Sequence, residues 1–224
     1  MTPLEALIAA LPDDLHGRAF THVSWVDDRL QSYERLEFLG DGVLGAAVAE
    51  ELYRRYSDVD EGRLAKLKAH VVSRRSCAVV ARVLDLGATF EAQRVAGGHE
   101  DKGLSTNRNV LAALCEATIG ACFLHAGYAA TAEAVIAAFA DRIAYAADSF
   151  VDHKTELQEQ LARLGLAVSY RLVETAGPAH RRTFSSHAVI AGDTAGTGTG
   201  ASKKLSEQAA ARAALAGLPD TRGH

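Results

Sequence analysis

Residues 33–44 read YERLEFLGDGVL. At about 100° per residue, with Glu37 set at zero, Asp41 falls at about 40° and Glu34 at about 60° on a helix, so three acids share one narrow stripe. Leu36, Phe38, Leu39, Val43 and Leu44 fill most of the remaining circumference, and the helix reads as largely enclosed by protein. No Lys or Arg stands four residues from Glu37 or Asp41 to relieve the repulsion, which costs roughly 0.2–0.5 kcal/mol for each like-charged pair at that spacing. Gly40 and Gly42 add about 1 kcal/mol each relative to Ala in a helix interior. A helix written against its own stability serves close packing or a ligand. An exposed acidic face with distant basic partners remains the plainer alternative, and spacing alone leaves both open.

A second group offers a different chemistry. Ser202 is a good N-cap for a helix over about 202–217, and Lys203 and Lys204 then lie in its first turn. Cations there oppose the helix dipole by typically about 0.3–1 kcal/mol each. A fold gains little from that arrangement, whereas a phosphate gains from both lysines and from the free backbone N–H groups. Two solvated surface lysines are the competing reading.

The elements that position these groups fall into two regions. The chain of 224 residues is 48% hydrophobic and 23% charged with a net charge of −4, ordinary for globular protein and unlike a disordered or collagen-like chain. Residues 1–149 carry a net charge of −6 and residues 150–224 a net of +2. Apolar spacings of three and four predict helices near 4–10, 33–56, 61–84, 109–126 and 129–147. After a short junction, a helix at 153–164 precedes strand-like segments near 168–174, 182–191 and 194–199, then the 202–217 helix. That order is α-β-β-β-α, with Leu157, Leu161, Leu164, Val168, Ala209 and Ala213 as core candidates. No run of about 18 consecutive apolar residues predicts a membrane span. The opening MTPLEALIAALPDDLHGRAF carries early acids and no basic segment, so it does not read as a secretory signal. Cys77, Cys115 and Cys122 have apolar neighbours and no metal-ligand spacing, and read as buried thiols in a reducing cytoplasm. His22 reads as a structural hydrogen-bonding residue, and His70, His99 and His125 as surface or packing residues.

ERLEFLGD, preceded by FTHVSW at 20–25, closely resembles the signature of bacterial ribonuclease III. DEGRLAKLKAHVVSR at 60–74 and NVLAALCEATIGACFL at 109–124 follow in the family's order, and residues 152–218 resemble a double-stranded-RNA-binding domain. The resemblance implies an all-α ribonuclease III endonuclease domain over 1–147, followed by a small α+β domain over 152–218. It implies a cytoplasmic homodimer with no membrane association that cleaves double-stranded RNA with magnesium, manganese being able to substitute. Cleavage would leave 5′-phosphate and 3′-hydroxyl ends, with ribosomal RNA precursors and structured messages as substrates. Residue by residue, Asp41 and Glu116 take catalytic positions, and Glu37, Asp41 and Glu116 those of the metal ligands. Glu34 and Glu61 are outer acidic positions, and Phe38 an aromatic that packs into the partner subunit. In the second domain Thr155, Gln158 and Glu159 match positions facing the RNA minor groove, where polar groups can bond the 2′-hydroxyl. Pro178 and His180 belong to the loop that enters the next minor groove, and Ser202, Lys203 and Lys204 to the phosphate-binding helix start. Arg63, Lys66, Lys68, Arg74 and Arg75 either line the RNA path or form a solvated helix face.

Phosphodiester hydrolysis gives the acids a purpose. Carboxylates on two helices offer the hard oxygen ligands that Mg²⁺ takes, and a loaded site reverses the field that repels phosphate. One position departs from the pattern: Ala113 stands where many members carry an acid, one helical turn before Glu116. Either water fills that place in an active enzyme, or the protein binds double-stranded RNA without cleaving it. A purely structural helical dimer leaves the Ser-Lys-Lys helix start unexplained.

Overall fold

The structure, a computed structural model, describes residues 1–57, 59–150, 153–177 and 182–218. They divide into two compact units, Met1–Phe150 and Val151–His224.

The first unit is helical: α1 (Pro3–Ala9), α2 (Asp13–Ala19), α3 (Glu34–Arg55), α4 (Glu61–Val71), α5 (Arg74–Val83), α6 (Leu86–Ala96) and α7 (Arg108–Phe150), with short 3₁₀ turns at Val23–Trp25, Arg29–Gln31 and Leu104–Thr106. α7 is the hub, and each of the other six packs on it. Its first half is rich in Ala, Leu and Cys, and every residue from Val110 to Cys122 is buried. By length and composition α7 could cross a membrane, but 72% of its most apolar window is buried inside the unit, as a core helix requires. Phe20, Phe90, Leu4, Leu44 and Leu52 complete the core around it, each such side chain stabilising the fold by about 1.5–3 kcal/mol. Cys77, Cys115 and Cys122 are free and fully buried there.

Two helix boundaries differ in kind. Gly127, at φ 76° and ψ 177°, breaks α7 where the expected helices 109–126 and 129–147 part; that φ favours glycine. The expected single helix 61–84 is instead α4 and α5. Val72 ends the first, and Ser73 turns extended to cap the second, its hydroxyl accepting from the Ser76 N–H. α2 and α6, which the periodicity did not mark, are short and each buries one or two residues.

The second unit is an antiparallel sheet, β1 (Val168–Ala176), β2 (Thr183–Ile190) and β3 (Asp193–Gly200) in that spatial order, with α8 (His153–Arg163) and α9 (Lys203–Gly217). The expected α-β-β-β-α order is the observed one. Gly196 and Gly198 of β3 lie against the backbone of α9 around Ala210, where a Cβ would not fit. Ser186 and Ser206 share a buried 2.7 Å hydrogen bond between β2 and α9. The core is Leu157, Leu161, Ala188, Ala210, Ala211 and Ala214. Three expected core residues are corrected: Leu164 is 52% exposed, lying past the end of α8, and Ala209 and Ala213, half-buried and exposed respectively, fall outside the core because α9 turns Ala210 and Ala214 inward.

Candidate active site

α3 and α7 cross at close quarters, and the crossing explains one glycine in the acidic segment. A Cβ on Gly40 would collide with the carbonyl of Glu116, and one on Gly120 with the carbonyl of Leu36. The helices touch backbone to backbone, which sets Glu37 and Asp41 of α3 beside Glu116 of α7. Gly42 has open space around it and takes no part in the contact.

Glu116 is buried, 5% exposed, in an otherwise apolar stretch of α7. Its pKa is pushed up to about 7, first by desolvation and then by the charges of Glu37 and Asp41; Arg74 and the nearby Cys77 thiol work against the rise. Burial likewise raises Glu37, with Arg74 opposing and the charges of Glu34 and Asp41 adding to the rise. Arg74 Nη2 lies 3.5 Å from Glu37 Oε1. The fold therefore holds three carboxylates in mutual repulsion with a guanidinium at their edge. As the side chains stand, no three His, Cys, Asp or Glu residues converge on a point that could hold a metal ion among the described residues. The donor chemistry nonetheless suits a hard divalent cation: carboxylates only, on two rigid helices, each gaining from a nearby positive charge.

The remaining expected positions separate. Glu34 is engaged by Arg29 at 2.6 Å, which together with their hydrogen bonds lowers its pKa. Glu61 is exposed in the first turn of α4 and is not among the charges acting on Glu37 or Glu116. Phe38 does not enclose its helix: it is 84% exposed, beside a cavity of about 540 Å³ lined by Arg18, Leu36, Leu39 and Leu124 among others. Ala113 is buried one turn before Glu116, at 4% exposure. His22 accepts from the Ser24 N–H and pairs with the Ser24 hydroxyl, while His99 stacks on Trp25 and His70 on Tyr145.

In the second unit Thr155, Gln158 and Glu159 lie on α8, with Gln158 and Glu159 exposed and Thr155 on the same outer side of the helix. Ser202 caps α9, accepting from the Leu205 N–H at 3.2 Å, and Lys203 and Lys204 are exposed in its first turn. Pro178 and His180 lie outside the described residues.

Residues 12–143 match the ribonuclease-III-like family, and residues 153–218 match the double-stranded RNA binding motif. The chain belongs to the ribonuclease III family. Ribonuclease 3 of Streptomyces coelicolor is 44% identical over 201 residues, covering 88% of this chain and 72% of that protein. Ribonuclease 3 of Thermobifida fusca is 42% identical over 214 residues, covering 94% and 88%. Among solved structures, the ribonuclease III nuclease domain of Campylobacter jejuni aligns at a TM-score of 0.51 and 32% identity, over 62% of this chain and 96% of that one. That nuclease domain is described as flexible in a region involved in dimer formation. Within this ribonuclease III family member, sequence reasoning did not find the pairing of Arg74 with Glu37 or the Cys77 contact with Glu116. The only sequence signal for them was the run of α5 itself, and nothing in its spacing points across to α3 or α7.

Proposed function

We propose that this ribonuclease III family member is an endoribonuclease that hydrolyses double-stranded RNA. The observation that carries the reading is Glu116, a buried carboxylate facing Glu37 and Asp41 across a helix crossing too close for any side chain. Burial of a charge among like charges is costly unless a cation resolves it, and phosphodiester hydrolysis supplies the need for one.

Glu37, Asp41 and Glu116 would hold the cation, with magnesium as the cofactor and manganese as a substitute. When bound, it lowers the pKa of a coordinated water, neutralises developing charge and orients in-line attack. α3 and α7 fix the backbone positions of the acids, so that only their side chains need turn to meet the cation. Water adds its oxygen to phosphorus, the bond to the 3′ oxygen breaks, and that oxygen takes a proton, leaving a 5′-phosphate and a 3′-hydroxyl. The second unit binds the duplex. Thr155, Gln158 and Glu159 present polar groups to 2′-hydroxyls, and Ser202, Lys203 and Lys204 present a helix start to phosphate. The joint exposure of Phe38 and Leu124 at one cavity supports a homodimer, since such an apolar patch gains from burial in a second copy. Sedimentation as a monomer at micromolar concentration overturns that part. Ribosomal RNA precursors and structured messages in the cytoplasm are the proposed substrates.

A labelled perfect RNA duplex incubated with Mg²⁺, with and without chelator, tests the reading. Cleavage that chelator stops supports it. Tight binding with no cleavage at any metal concentration favours a duplex-binding protein, the reading that Ala113 keeps in play.

A further inference from the structure

Arg74 stands apart from the chemistry just described. Its guanidinium reaches Glu37 from a different helix, and its charge acts on Glu116 as well. Its position in its own helix is unfavourable. Arg74 and Arg75 open α5 directly after the Ser73 cap, and no acid lies in that first turn, so two cations sit at the positive end of the helix dipole. Local stability does not place a cation there; Glu37 supplies the compensation. The pair is also lopsided, with the Arg74 side chain 62% exposed and that of Glu37 21% exposed. One partner is anchored in the site, and the other can swing into water at little cost.

We propose that Arg74 is a displaceable counter-charge, pairing with Glu37 in the metal-free protein and giving way when a divalent cation takes that carboxylate. The inference rests on the metal reading of Glu37, Asp41 and Glu116. A guanidinium and a divalent cation carry the same sign and compete for the same oxygens. In the metal-free state Arg74 offsets part of the repulsion among the three acids. On loading, the cation takes over that role, and the ion pair opens. Metal affinity is therefore set below what the carboxylates alone would give. Because Glu37 is the shared partner, the competition acts on metal uptake and needs no RNA.

Calorimetric titration of Mn²⁺ into chelator-stripped full-length protein without RNA tests this. Arg74→Gln keeps most of the side chain's length while removing its charge, and is expected to tighten Mn²⁺ binding about threefold or more. Arg75→Gln removes an equal charge from the neighbouring position and is expected to change affinity less. Circular dichroism checks that both variants keep their helices. Tightening by Arg74→Gln alone supports the displaceable pair, as does uptake by that variant when the wild type takes up none. Equal tightening by both variants makes the effect a general field and overturns it. Unchanged or weaker binding in Arg74→Gln, with wild-type uptake intact, overturns the pair alone. No uptake by either protein overturns the metal reading and the pair with it.

Discussion

Gly40 of α3 lies directly against the main-chain carbonyl of Glu116 in α7, so the distance between the two helices is set by the absence of a single carbon. Helix propensity and packing then disagree on one substitution. Propensity favours Gly40→Ala by about 1 kcal/mol, whereas packing opposes it by about 1–3 kcal/mol or more, because a backbone carbonyl cannot step aside. The expected outcome is a destabilised protein with cleavage abolished. Gly42→Ala, with open space around residue 42, is expected to be neutral or stabilising. Urea unfolding of the two variants decides it, and a stabilised Gly40→Ala would show that the crossing is looser than described.

Glu116→Gln is expected to abolish cleavage while leaving duplex binding nearly intact. Its effect on stability has a pH signature. With a folded pKa of about 7 against an ordinary 4.5, the folded chain holds this proton after the unfolded chain has released it. Ionised Glu116 therefore costs the fold nothing below the ordinary carboxylate range. The cost grows as pH rises towards 7 and is fully present above it. In chelator at about pH 8 the variant should be more stable than wild type by about 2–3 kcal/mol, and the gap should close by about pH 4.5. A gap independent of pH, read from denaturant midpoints, contradicts this assignment.

Ala113→Asp puts a carboxylate one helical turn from Glu116 at a buried position. Without metal the new charge has no relief, and the melting temperature should fall. With Mn²⁺ it should recover by more than the wild type gains, because binding to the folded state alone stabilises it. The Mg²⁺ concentration for half-maximal cleavage should drop. If that titration does not move while the wild type is active, residue 113 lies away from the metal.

Replacing Lys203 and Lys204 by Ala removes two cations from the α9 N-terminus, where the dipole disfavours them by about 0.3–1 kcal/mol each. Stability of the second unit should hold or rise while duplex affinity falls. The slope of log affinity against log salt should shrink by about one for each phosphate that is no longer neutralised. An unchanged slope would mean that other cations neutralise the phosphates.

What the sequence disclosed followed from local chemistry. Apolar spacing located α3 and α7, the Ser202 cap located α9, and alternation located three strands within a residue or two at most ends. The break at Gly127 fell between two expected helices. The break at Ser73 did not, because Val71 and Val72 carry the apolar pattern straight across the junction and only the extended backbone of Ser73 shows that a new helix begins. Ala209 and Ala213 were misplaced by a one-residue slip, which helical spacing tolerates, and Leu164 because the apolar pattern runs on past the end of α8. In the acid cluster, the residue types and their stripe were visible in 33–44. The reason for Gly40, the exposure of Phe38 and the reach of Arg74 to Glu37 depend on chain segments far apart in sequence. No local pattern encodes those.

Sealing Cys77, Cys115 and Cys122 inside the helical unit turns that unit into its own clock. A thiol reagent cannot enter a packed interior, so each label records a moment when that region opened. All three sulfurs belong to Met1–Phe150 and none to the RNA-binding unit. Labelling rates therefore time the breathing of the nuclease half alone, in the intact chain, with no probe installed.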